Sequence, residues 1–328
     1  MRPEERYHGH ECRPWANAAY RAGASMTAKH LIMIGHAALD RVYRVESFPR
    51  EPAKVRAIEA IEVGGGMAAN AAVTAARLGA RVELWSRVGD DNAAAIIKAG
   101  LKAERVDVRW VERFDDARSS TSAIIVDDRA ERLIVGMRDT SMPSGTSWLP
   151  LERIAEADVV VADLRWIEAA RVAFEQARKF GVPTVLDADL GAREALPDIL
   201  ELADYAIFSA AALRDFVKDG DDDTRLADII GRGARYVGVT LGQDGYLWRS
   251  ADGRRGTMPA FAVDAVDTTG AGDAFHGAFA LALAAGNDLT NCARLASAVA
   301  AMKCTRLGSR AGLPTMAELE DFLAASGR

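Results

Sequence analysis

Asp267-Thr268-Thr269-Gly270-Ala271-Gly272-Asp273, followed by Ala274-Phe275-His276-Gly277-Ala278 and an apolar run to Ala285, decides how the rest of the chain is read. A tight Gly-Ala-Gly turn feeding an apolar helix leaves backbone N–H groups unpaired at the helix start, at the positive end of the macrodipole. Glycine lets that backbone come close to an anion, and a phosphate is the anion such a turn receives. Asp273, on the first helical turn, sets a carboxylate beside the anion where a neutralising cation would be expected. An acid there fits a general base that takes the proton of an attacking hydroxyl while the amides hold the charge on a transferred phosphoryl group. The same residues also suit an ordinary capped helix, with Thr269 or Asp267 as the cap.

The 328 residues are 49% hydrophobic and 27% charged, enough for one large α/β domain with an accessory element or for two modest domains. A formal net charge of −6 argues against general attraction to nucleic acid or to an anionic membrane, so an anionic ligand needs a local site. Cys12, Cys292 and Cys304 form no CxxC pair and are odd in number, which suits a reducing cytoplasm better than a disulfide framework. No apolar run reaches the roughly 18 to 20 residues of a membrane span. Residues 1 to 29 are charged, lack the apolar core of a signal peptide and read as a disordered leader, of which residues 1 to 25 are expected to be dispensable.

His30 to Gly35 is a short apolar run, as in a buried parallel strand, and Asp40 follows it. Ligands of open α/β sheets bind outside the carboxyl ends of strands, so Asp40 either caps a turn or meets a polar ligand such as a sugar hydroxyl. Residues 41–63 and 120–137 are shorter-period and β-rich, without a helix of their own, and read together as one discontinuous β lid. The remainder, 30–40, 64–119 and 138–325, alternates apolar strands with helices, which means a mostly parallel sheet covered by helices on both faces. Gly64-Gly65-Gly66 opens a helix bearing Asn70, but Ala69 breaks the dinucleotide fingerprint and no suitable acid lies about 20 residues on. Further strand ends carry Asp163-Leu164-Arg165, Asp187-Ala188-Asp189, Ser209, and Thr240 with Gly242 and Gly245. Collected on one sheet edge, they make a substrate end and a nucleotide end.

The 267–273 motif resembles the second signature of the ribokinase-like (PfkB) carbohydrate kinases, and the similarity runs from His30 to Pro314. The resemblance implies a ribokinase-like α/β fold with a small β lid that often pairs with a second subunit's lid, giving a homodimer. It implies ATP with Mg2+ as phosphoryl donor, Asp273 as catalytic base and an anion hole from the amides of Gly270, Ala271 and Gly272. It assigns the sugar to Asp40, Gly65, Gly66 and Asn70, and the nucleotide to Ser209, Thr240, Gly242, Gly245, Asp267 and Thr268. Many members carry asparagine and glutamate three apart where this chain has Ser209-Ala210-Ala211-Ala212, so magnesium is expected to be held by nucleotide and water, with no protein ligand assigned. The closing loop, Arg306 to Pro314, neighbours the nucleotide in the family and sometimes a monovalent cation.

Within the family, Ser119-Ser120, Ser122-Ala123-Ile124, Ala162 to Trp166, Phe275 to Ala278 and Lys303 to Arg306 are similar to the bacterial sulfofructose kinases. That similarity implies phosphorylation of 6-deoxy-6-sulfofructose at O1, with Lys54 and Arg165 on the sulfonate. The third donor of that pattern, an asparagine, falls at Gly136. A solvated lid-edge lysine and a surface ion pair are the alternatives for Lys54 and Arg165, and a ketohexokinase-like or ribokinase-like substrate, or a sugar or nucleotide sensor without turnover, is the alternative function.

Overall fold

The structure, a computed structural model, describes residues 29–129, 131–191 and 193–327. The expected leader lies outside them except for Lys29. In chain order the strands are β1 (His30–Gly35), β2 (Ala38–Arg44), β3 (Glu59–Gly65), β4 (Arg81–Gly89), β5 (Val106–Asp107), β6 (Val111–Phe114), β7 (Ser120–Val126), β8 (Arg132–Met137), β9 (Val159–Asp163), β10 (Thr184–Ala188), β11 (Tyr205–Ser209), β12 (Tyr236–Thr240), β13 (Tyr246–Ser250) and β14 (Arg255–Met258). The helices are α1 (Met67–Arg77), α2 (Asn92–Ala103), α3 (Ile167–Phe180), α4 (Leu196–Leu200), α5 (Ala210–Phe216), α6 (Asp222–Gly231), α7 (Ala271–Ala284), α8 (Leu289–Lys303) and α9 (Met316–Ala325).

Ten strands form the main sheet in the order β14-β13-β12-β11-β10-β9-β1-β4-β5, with β6 beside β4. It is parallel from β12 through β5 and β6, and only β13 and β14 run antiparallel at one edge. Continuous apolar runs such as Leu31-Ile32-Met33-Ile34 are buried because helices cover both faces. One layer packs Met33, Val82 and Val161 against α1, α7 and α8. The other packs Ile32, Val160 and Leu186 against Phe174 and Ala177 of α3. This is the expected ribokinase-like architecture.

Four strands form a separate sheet, β3-β2-β7-β8, drawn from the two expected blocks of sequence. It starts at Ala38 and returns at Gly65, wider than 41–63, because β2 and β3 pair in register from Ala38↔Gly65 to Arg44↔Glu59. Asp40 therefore stands on a lid strand and not on the core. Residues 45–58 belong to no strand, so Val55 is not part of the sheet. One lid face buries Val42, Ile124 and Val126 against Ile61, Val63 and Leu307.

Candidate active site

Asp163, at the end of β9, fastens the sugar side of the site. Its Oδ2 accepts the N–H groups of His36 (2.7 Å) and Ala68 (3.1 Å), and its Oδ1 accepts that of Arg165 (2.8 Å). Three elements thus meet on one buried carboxylate. Gly35 passes so close that a Cβ there would lie 2.3 Å from Asp163 Cγ. With its oxygens engaged by backbone, Asp163 is a brace.

Asp273, in the first turn of α7, accepts a 2.8 Å hydrogen bond at Oδ2 from Asn70 Nδ2. Burial, the nearby Asp187 carboxylate and Asp189 raise its pKa from the ordinary carboxylate range to about 7, opposed by the Asn70 bond and His276. That value suits a base working near neutral pH. Asp187 is itself pushed well upward, by burial and then by Asp189 and Asp163, and its Oδ1 lies 3.5 Å from His276 Nε2. Asn70 Oδ1 accepts from Arg310 Nε at 2.8 Å, so the amide bridges the base to a buried guanidinium. Asp40 is raised by burial, while the Ser122 hydroxyl and the Arg310 charge favour its ionised form. The glycine run makes room for these groups: a Cβ on Gly65 would stand 2.0 Å from Asp40 Oδ2, and one on Gly64 2.0 Å from Arg310 Nη1. Gly66 has φ +92° and abuts the His36 carbonyl. Expected sugar-site residues 40, 65, 66 and 70 are therefore linked through Asn70 and Arg310 to Asp273.

At the anion turn Gly270 adopts the left-handed φ of +77°. The Ala271 amide donates to Thr268 O at 3.2 Å, and that of Ala274 to Gly270 O at 2.9 Å. Among the described residues, the amides of Gly270, Gly272 and Asp273 have no hydrogen-bond acceptor, while the N–H of Ala271 meets the turn's own Thr268 carbonyl. No atom stands within 4 Å of a Cβ built on Gly272, so there is room before the open amides. These donors, facing free space at a helix start, fit a nucleotide phosphate.

Asp267 is buried and works inward. Its carboxylate accepts the amides of Thr269 (2.9 Å) and Gly308 (2.8 Å), and its carbonyl accepts Lys303 Nζ at 2.6 Å. The Lys303 side chain is fully buried, with Nζ 3.9 Å from Asp267 Oδ2. Asp267 thus braces the turn from within. Thr268 is exposed and accepts from lid residue Arg132 through Oγ1.

At the nucleotide end, Ser209 caps α5 by accepting the Ala212 amide at 3.2 Å and donates to Asp189 at 2.8 Å. Its hydroxyl thereby ties the start of α5 to the residue that follows β10. Thr240, opposite Ser209 across β11 and β12, donates to Phe208 O at 3.3 Å. Gly242 has φ +60° and open space, whereas a Cβ on Gly245 would lie 2.1 Å from Met258 O. The first can face a ligand; the second is required by the turn into β13.

Lys54 is exposed, between β2 and β3, and among the described residues makes no ion pair. Arg165 lies partly buried with Nη2 3.9 Å from Asp189 Oδ2. Gly136 pairs with Ser122 and supplies no side chain. Sequence reasoning missed His36. Its Nε2 is buried and has no hydrogen-bond partner among the described residues. Burial lowers the ring's pKa to about 4; the charges of Asp163, Arg165, Arg138 and Arg87 act on it. Arg87 stacks over Trp166 at 4.3 Å and donates to the Arg165 carbonyl at 3.3 Å. Arg310 and Lys303 were also missed as site residues. A charged residue set among the small residues of the closing loop, and a lysine three residues before its start, were the available signals.

The pfkB family carbohydrate kinase pattern matches residues 28–316, and the chain belongs to that family. It is an ATP-dependent sugar kinase of the ribokinase-like type. Ribokinase of Bacillus subtilis is 28% identical over 298 residues, 90% of this chain and 100% of that protein. The ATP-dependent ribose-1-phosphate kinase of Halopiger xanaduensis is 28% identical over 304 residues, 90% of this chain and 98% of that protein. Among solved structures, one from Agrobacterium tumefaciens assigned as a ribokinase superposes with a TM-score of 0.88 at 36% identity, covering 92% of this chain and 99% of that one.

Proposed function

We propose that the chain transfers the γ-phosphoryl group of ATP to a primary hydroxyl of a sugar with an anionic terminus, 6-deoxy-6-sulfofructose being phosphorylated at O1. Asp273 takes the hydroxyl proton as the oxygen forms a bond to the γ-phosphorus. The bond from that phosphorus to the β-bridging oxygen breaks, ADP leaves, and the amides of Gly270, Gly272 and Asp273 hold the charge on the transferred oxygens. Bound Mg2+ would neutralise the nucleotide's phosphates. Asp40 and Asn70 position the sugar hydroxyls.

The observation that supports the substrate class is Arg165, held at the end of β9 by Asp163 and 3.9 Å from Asp189, with Arg87 donating to its carbonyl, beside His36, whose buried Nε2 has no partner among the described residues. Cations collected at the sugar side of an acid-lined cleft suit an anionic tail, and a neutral imidazole offers it one further hydrogen bond. Lys54, on the lid connection, would join them on closure. That a relative is named for ribose 1-phosphate, itself an anionic sugar, is in keeping with this class. Ribose or deoxyribose is the second reading, favoured by relatives named ribokinase and deoxyribokinase. ADP release with MgATP across ribose, deoxyribose, fructose, 6-deoxy-6-sulfofructose and ribose 1-phosphate tests it. Turnover confined to neutral pentoses overturns the anionic reading; sugar binding without turnover overturns the kinase reading.

We also infer a homodimer formed through the lid. Leu133, Ile134, Val135 and Met137 on edge strand β8 are 41 to 61% exposed, an apolar edge that a second copy would cover.

A further inference from the structure

Arg310 is 5% exposed, in the loop between α8 and α9, and touches the site only through other groups. Its Nε donates to Asn70 Oδ1 at 2.8 Å and its Nη2 to the Gly65 carbonyl at 3.4 Å, while Nη1 takes the space a Gly64 side chain would fill. The loop is held from behind by Arg77. Its Nη1 donates to the carbonyls of Arg310 and Leu313 at 2.9 Å each, and its own guanidinium is clamped by Glu104 at 2.8 and 2.6 Å.

We propose that Arg310 is a positioning residue for phosphoryl transfer: it fixes the Asn70 amide so that its oxygen faces the guanidinium and its N–H groups face Asp273 and the sugar, and it supplies the resident cation between Asp40 and Asp273. The proposal rests on Asp273 being the base. A guanidinium only donates, so the amide atom it meets must be the oxygen, and the Nδ2 atom must turn to the base. One N–H of Nδ2 goes to Asp273 and the other remains for the substrate. The sugar group at Asn70 must then accept, and a hydroxyl that accepts there is free to donate to the neighbouring Asp40 carboxylate. A hydroxyl is matched in both senses, and an ammonium, which has no lone pair to accept with, is excluded at the Asn70 position.

Asp273 is faced by Asn70 from α1, Asp187 and Asp189 from the end of β10, His276 within α7, Lys303 from α8 and Arg310. Removing the Arg310 charge takes a cation from beside an acid, so the acid limb of the pH–rate profile must move to higher pH. The test compares Arg310→Gln and Arg310→Lys with wild type, each checked for folding by its thermal midpoint. Arg310→Gln is expected to lower kcat/KM for the sugar about tenfold or more and shift the acid limb of kcat upward, with KM for ATP unchanged. Arg310→Lys is expected to keep the limb and still raise the sugar KM, because an ammonium cannot reach both Asn70 and Gly65. A wild-type limb and wild-type sugar kcat/KM in a folded Arg310→Gln overturns the proposal, whatever its thermal midpoint. If that variant does not fold, an unchanged sugar KM in Arg310→Lys does the same. Full kcat in Asp273→Asn would remove the base reading itself, whereas an inactive Asp273→Asn beside a wild-type-like Arg310→Gln removes only the role of Arg310.

Discussion

Asn70 donates to Asp273 across 203 residues of sequence, joining the first turn of α1 to the first turn of α7 at 2.8 Å. This bond joins the sugar-holding helix to the proposed base, so chemistry and binding share one rigid contact.

Replacing Asp273 with Asn is expected to slow kcat by about 10² to 10⁴ while sugar and ATP binding stay near wild type by calorimetry. In wild type, activity should rise with pH through about 7, because the base acts deprotonated and burial beside Asp187 holds its pKa there. A folded-state pKa raised above the unfolded value stabilises the fold at low pH, and that stability is lost as pH rises toward 7. Asp273→Asn should therefore raise the thermal midpoint at pH 8 and leave it unchanged near pH 3. A kcat equal to wild type would remove Asp273 from the mechanism.

Gly270→Ala places a side chain at φ +77° and 3.0 Å from Ser309 Cβ. The left-handed conformation costs about 1 to 2 kcal/mol for a residue with a Cβ. The thermal midpoint should fall, and kcat should fall further than stability alone requires because the open amides move. Gly272→Ala, with free space before it, should instead raise KM for ATP with little change in thermal midpoint.

Lys303→Met leaves the buried Asp267 carboxylate with two amides and no cation. Removing one partner of a buried pair costs about 3 to 5 kcal/mol, an upper figure here because the carboxylate keeps both N–H bonds. Chemical denaturation should show the loss, and Lys303→Met with Asp267→Asn should lose less than the two single changes added together. Additive losses would show that the pair is not coupled.

The architecture was legible because several parallel strands carry continuous apolar runs, such as Leu31 to Ile34 and Val159 to Ala162, followed by a glycine or an acid. Asp273, Gly270 and Asn70 were legible because a glycine-rich helix start has few other uses. The lid edge was misjudged at Ala38 and Gly65, where pairing register, and not composition, sets the limit. Asp267 and Ser209 look like ligand groups in sequence, but the amides they also accept, from Thr269 and Gly308 and from Ala212, follow from chain geometry that composition does not show. Arg310 and His36 were hidden for another reason: the partners of Arg310 lie some 240 residues away in sequence, and the His36 ring is placed by a backbone bond to Asp163, 127 residues on.

Changing Leu133 and Val135 together to Lys should convert a dimer to a monomer in light scattering at micromolar concentration, with the core's thermal unfolding retained. A wild-type protein that is already monomeric would show that the exposed lid edge is covered by some other means.

The central claim is that the cationic group on the sugar side selects an anionic sugar. The direct measurement is kcat/KM for 6-deoxy-6-sulfofructose and for fructose in wild type and in Arg165→Ala. A charge-assisted contact is worth about 1.5 to 3 kcal/mol, or roughly ten- to a hundredfold. Wild type is expected to prefer the sulfonated sugar, and Arg165→Ala to lose about that factor on it while fructose changes little. A wild-type preference for neutral fructose or ribose, with Arg165→Ala affecting all sugars alike, would contradict the account.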